Sequence, residues 1–155
     1  TGDPEGNPIR RAALEIDKGD VHSSLAKCLL VENAINTLYF GQNERPKLYR
    51  GIDGDIALDI DDAQRHGLKS FLYRGVGAEG YSNSIREAKS FGDDGVVISP
   101  HVKSQHILVS WQTNSAMDYG DEQESIVLSP PHQLRLRDVK SYVPKHMRKD
   151  EDDED

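Results

Sequence analysis

The run Tyr119-Gly120-Asp121-Glu122-Gln123-Glu124-Ser125-Ile126-Val127-Leu128 reads as a polar loop feeding a β-prone strand, with two carboxylates at its mouth. Side chains on a strand alternate faces with period two. If the strand begins by residue 122, Glu122 and Glu124 point to the same side and share one site. Two like charges held together raise each other's cost, and such a pair suits a site that holds a cation or an oxocarbenium-like sugar. A solvated acidic strand end is the other reading of the same residues.

Working outward, the strand belongs to a series. Ser70 to Arg74, Gly95 to Ser99, His106 to Trp111, Ser125 to Ser129 and Gln133 to Val143 are short β-prone runs bounded by Gly, Pro and Asn. A short helix from Ile85 to Phe91 interrupts them. Before them the pattern is helical. Asp20 can cap a helix through about Tyr39, in which Val21, Leu25, Cys28, Leu29, Ile35 and Leu38 share a face and Gly41 stops it. A second helix is expected from Ile56 to His66, with a short strand and turn at Lys47 to Gly51 between the two. Helices first and short strands later argue an α+β fold with a largely antiparallel sheet.

The chain has 155 residues, enough for one domain with one core, and no run approaches the roughly 18 apolar residues of a membrane span. Six of its 27 acidic residues form the terminal run 150–155, and the other 21 nearly balance the 19 basic ones. A nearly neutral body lacks the basic excess of a nucleic-acid footprint. Residues 1–19, rich in Gly and Pro and then charged, read as a flexible leader, residues 20–145 as the domain, and residues 146–155 as a disordered acidic tail. The chain starts at Thr1 without methionine or a signal segment, as expected of a chain trimmed from one with an upstream targeting region. Cys28 is the only cysteine and is expected to be a buried thiol. His101 and His106, five apart with no third ligand at metal spacing, give no reason to expect a metal site.

Two Leu-Tyr-Arg-Gly strings, at 48–51 and 72–75, add an arginine to the carboxylates, and Tyr81-Ser82-Asn83-Ser84 adds hydroxyls. An arginine on a strand, then Ser-x-Ser, then Glu-x-Glu on a later strand resembles the mono-ADP-ribosyltransferases of the arginine-modifying, cholera-toxin-like class. The resemblance runs from about residue 20 to 143. Leu48 to Gly51 looks like the first motif. Tyr81 to Ser84 is similar to the aromatic-Ser-Thr-Ser motif, with Asn83 in place of the usual Thr, followed by Ala88 and Phe91. Glu122-Gln123-Glu124 resembles the Glu-x-Glu, preceded by Tyr119 and followed by Pro130-Pro131.

The resemblance implies an ADP-ribosyltransferase fold, N-terminal helices followed by a split sheet around a cleft for NAD, with NAD as co-substrate and a protein arginine as acceptor. It implies that Arg50 binds the pyrophosphate, that Ser82 fixes Glu124 and contacts NAD with Ser84, and that Phe91 walls the nicotinamide. Glu124 would stabilise the sugar cation, Glu122 would orient the acceptor guanidinium, and Tyr119 would face the target protein. Arg74 is the rival to Arg50, but only eight residues separate it from Ser82. Family members include secreted toxins, injected effectors and phage enzymes. Two other functions stay open: a catalytically degenerate fold binding an arginine-bearing peptide, and NAD hydrolysis with water as acceptor.

Overall fold

The structure is a computed structural model that describes residues 8–75, 77–115, 123–128 and 132–149. Among the described residues four helices and eight short strands make an α+β architecture in which every strand pairing is antiparallel.

The first helix, α1 (Pro8–Lys18), occupies the segment expected to be a leader. Its sequence carries helix signals: Pro8 at the first position, Ile9, Ala12, Ala13 and Ile16 on one face, and Gly19 at the end with φ of 74°. Backbone bonds from Gly19 N to Ile16 O and Asp20 N to Glu15 O close that end. Arg10, Ala12 and Ala13 are buried. The second helix, α2 (Ser24–Phe40), starts three residues later than expected, because the Ser23 hydroxyl rather than Asp20 accepts from Ala26 N.

Three small sheets follow from the short strands. Strands β1 (Arg50–Ile52), β4 (Val96–Ile98) and β8 (Lys140–Ser141) form one. Strands β2 (Ser70–Tyr73) and β7 (His132–Arg135) form a second. The third has the order β3, β6, β5, with β3 at Ala78–Ser82, β5 at Ile107–Ser110 and β6 at Glu124–Leu128. Helix α3 (Gly54–Arg65) packs through Ala57, Ile60 and Ala63 against Val96, Ile98, Leu134 and Leu136. Helices α1 and α2 pack through Ala12, Ala13, Ala26 and Leu29 against Ala78, Leu108, Val109 and Ile126. The short helix α4 (Ile85–Phe91) lies across β1. A Cβ on Gly51 would land on the Ala88 carbonyl, so glycine is what lets β1 approach the helix.

Two expectations about particular segments give way. Strand β3 spans the Gly-rich stretch that ran unassigned before Ser82, and all five of its residues are buried, held between β6 and the helices. The final run breaks into β7, a short helical turn at Leu136–Asp138 and β8, since Gln64 Nε2 donates to the carbonyls of Leu136 and Val139 and draws the chain away from a continuous strand. Cys28 is exposed, because Ala26, Leu29 and Asn36 form the inward face of α2 and Cys28 turns to the opposite side. The acidic run 150–155 lies outside the described residues.

Candidate active site

Where the first and third sheets part, one bridge joins them: Tyr49 N donates to Ser82 O and Ser82 N to Tyr49 O, both at 2.8 Å. Beyond it β1 leaves β3 to pair with β4, and a cleft opens between the sheets. Tyr49, Arg50, Gly80, Ser82, Phe91 and Glu124 line its narrow inner part. An outer cavity of about 440 Å³, lined by Arg50, Asp53, Tyr73, Arg74, Glu79 and Phe91, continues from it.

Three of the residues singled out in the sequence converge here by strand register. Ser82 on β3 pairs directly opposite Glu124 on β6, which places both side chains on one face. The Ser82 hydroxyl accepts from Ser84 N at 2.9 Å. Arg50, at the start of β1, donates from Nη1 to Gly80 O at 2.9 Å, and its Nη2 lies 3.4 Å from Glu79 Oε2. Its Nε is buried with no hydrogen-bond partner among the described residues. Arg74 reaches only the outer cavity and is exposed.

Ser84 and Phe91 sit differently from one another. The Ser84 hydroxyl caps α4 by accepting from Glu87 N, so the structure gives it a helix-capping role and no place in the cavity lining. Phe91, the last residue of α4, is 42 % exposed and forms the rim shared by both parts of the cleft. Asn83, the departure from the usual Thr, accepts from Trp111 Nε1 at 2.8 Å and donates to Lys47 O at 2.9 Å. The amide oxygen and amide nitrogen serve one partner each, so Asn83 ties two segments together beside the cleft.

The strand at the carboxylates begins later than the alternation argument needed. β6 starts at Glu124, and Gln123 before it has φ of 50°, a left-handed conformation that interrupts strand periodicity. Period two therefore does not by itself align Glu122 with Glu124. Glu122, Tyr119 and Pro130-Pro131 lie outside the described residues.

Two charged residues in the site were not foreseen. Arg10 of α1 is 3 % exposed; its Nη1 donates to Ala78 O at 3.2 Å, and its Nη2 meets Glu124 Oε2 at 3.4 Å. Gly80 makes this approach possible, since a Cβ there would collide with the Glu124 carboxylate and the Arg10 guanidinium. Glu79 is 6 % exposed and accepts from Tyr73 Oη at 3.1 and 3.0 Å as well as meeting Arg50.

The network sets its own protonation states. Burial pushes the Tyr73 hydroxyl up to about 12, with the Glu79 charge adding to it. Burial works against the charge of Arg50, but the Glu79 carboxylate with Tyr73 and Tyr81 outweighs it, so the net direction is upward. For Arg10 burial prevails over the attraction of Glu124, and the neighbouring Arg50 adds to the downward shift. Buried arginines stay charged, so the network sets two fixed guanidinium groups, Arg10 and Arg50, against two carboxylates, Glu124 and Glu79. The sequence signal for Glu79 was a glutamate inside a run otherwise of small and aromatic residues, and for Arg10 the apolar face of α1 beneath it.

Compared with family models, with curated proteins and with solved structures, the chain matches none.

Proposed function

We propose that this chain is a mono-ADP-ribosyltransferase that moves ADP-ribose from NAD to an arginine of a protein target. The observation that carries the reading is the register that pairs Ser82 with Glu124 beside Arg50 in one cleft. The motif resemblance supports it independently, because these residues are far apart in the sequence.

The lining suits a dinucleotide. Arg50 keeps a buried Nε–H without a partner among the described residues, Phe91 offers an aromatic rim, and a cavity of about 440 Å³ falls in the usual range of ligand sites. Bound NAD supplies an ADP-ribosyl group whose bond to nicotinamide breaks with positive charge on the sugar. Arg50 would hold the pyrophosphate through charge-assisted hydrogen bonds. Its long contact to Glu79 is the one that yields most readily. Phe91 would stack on the nicotinamide ring and keep water from that side. Glu124 would accept from the ribose 2′-hydroxyl and stabilise the developing charge, an electrostatic contribution worth about 10²–10³ in rate when one such group is removed. Ser82 and Arg10 would fix the Glu124 carboxylate. Glu122 would orient the acceptor guanidinium, which attacks the sugar carbon through a nitrogen and loses one proton as the new bond forms.

Nicotinamide release from NAD, measured with and without an arginine-bearing peptide, tests the proposal. Release that depends on the peptide supports transfer. Release unaffected by it would replace transfer with NAD hydrolysis, and no release in either case would leave a peptide-binding module.

A further inference from the structure

Helix α2 turns amides inward and apolar side chains outward. Its inner face spends Asn33 and Asn36 on hydrogen bonds to the carbonyls of Gln105, Ile107 and Leu108. Its outer face exposes Val31 at 61 %, Ile35 at 41 %, Leu38 at 84 % and Tyr39 at 58 %. Single exposed apolar residues need no explanation, but a contiguous set along one helix face marks an interaction surface.

The spacing says what shape of partner fits. Cys28, Val31, Ile35 and Leu38 follow one another at intervals of three, four and three, the seam of a two-stranded coiled coil, with Cys28 and Ile35 at one repeating position and Val31 and Leu38 at the other. The second repeat, with β-branched Ile35 at the first position and Leu38 at the second, matches the pattern that favours a pair of helices. Lys27 and Ala34 flank the seam on one side, Glu32 and Tyr39 on the other.

We propose that this face pairs with the same face of a second copy of the chain, the two α2 helices running parallel. In that arrangement Lys27 meets the partner's Glu32, five residues on, and small Ala34 leaves room for the partner's Tyr39. Each contact occurs twice by symmetry. An antiparallel pair would instead bring Glu32 close to the partner's Glu32, a like-charge contact. Within its own chain Glu32 Oε1 accepts from Asn114 Nδ2 at 2.8 Å, a contact the carboxylate can keep while its other oxygen meets a lysine. The exposed surface of Val31, Ile35, Leu38 and Tyr39 is on the order of 500 Å² per copy, so a pair buries at most roughly 1,000 Å², at the lower limit for a specific interface and consistent with association no tighter than micromolar. The helix pays little to associate because its backbone is already ordered on the domain.

Sedimentation equilibrium up to about 100 μM, paired with mild oxidation, tests this. The expected result is a mass approaching twice 17.3 kDa for the 155-residue chain and a covalent dimer through Cys28, which faces the partner's Cys28 within the roughly 5.5–6 Å Cα separation of a disulfide. Leu38→Glu, at a site too exposed to disturb the fold, is expected to weaken association at least tenfold and to abolish the cross-link, with its circular dichroism unchanged. A chain that stays monomeric at the highest concentration overturns the proposal and leaves the face to a different protein. A dimer unaffected by Leu38→Glu also overturns it, and a Leu38→Glu-sensitive dimer that fails to cross-link overturns the parallel arrangement.

Discussion

Replacing Arg10 by methionine keeps the length and apolar stem of the side chain and removes its charge from a buried pair. The pair spans 3.4 Å, with side-chain exposures of 4 % for Arg10 and 13 % for Glu124. At an effective dielectric near 20, charges at that separation attract by about 5 kcal/mol. Part of this is offset by the cost of keeping both groups out of water, and the loss of one partner from a buried pair typically costs about 3–5 kcal/mol. Because Glu124 retains some contact with solvent, the lower end applies, and Arg10→Met is expected to cost about 3 kcal/mol. For a domain of this size that lowers the melting temperature by roughly 6–12 °C. Urea unfolding of the wild type, Arg10→Met, Glu124→Gln and the double variant closes a cycle whose coupling energy is expected to be about 2 kcal/mol. A single-variant cost below about 0.5 kcal/mol, or additive effects around the cycle, would refute a buried clamp between α1 and β6.

Glu15 accepts from the backbone N–H groups of His22 and Ser23, which hold its carboxyl at about 2 instead of 4.5. A depressed folded value means that its contribution is complete above pH 4.5 and is lost as pH falls toward 2, so the melting-temperature gap between wild type and Glu15→Gln should close over that window; a gap independent of pH would contradict the assignment. Arg50→Lys is expected to weaken NAD binding about tenfold or more, since lysine cannot make a bidentate contact, while Arg74→Lys changes it little; calorimetric titration giving the opposite ranking would move the pyrophosphate to Arg74.

Much of the second half of the chain was legible because its strands are short, apolar and punctuated by Gly, Pro and Asn, and helices α3 and α4 carry plain start and stop residues. The N-terminal helix was hidden by weighting the Gly/Pro residues before it over the spacing of Ile9, Ala12, Ala13 and Ile16. Cys28 was misplaced because α2 is apolar on both faces, so periodicity cannot tell which side meets the sheet. Strand β3 was missed because Gly80, which admits the Glu124 carboxylate, and the glycines before the strand look like turn residues in isolation. In the site, Arg50, Ser82 and Glu124 could be picked from ordered motifs. Arg10 and Glu79 were passed over, because a charged residue reads as solvated until the fold supplies its distant partner.

The central claim is that Glu124 stabilises a sugar cation on the way to an arginine adduct. Mass spectrometry of an arginine-bearing peptide after incubation with NAD and either wild-type protein or Glu124→Gln tests it directly, with a melting curve confirming that the variant is folded. The account predicts an ADP-ribosylated arginine with the wild type and a yield rate reduced about 10²–10³-fold with the variant. An unmodified peptide with folded wild-type protein, or equal modification by both proteins, would contradict it.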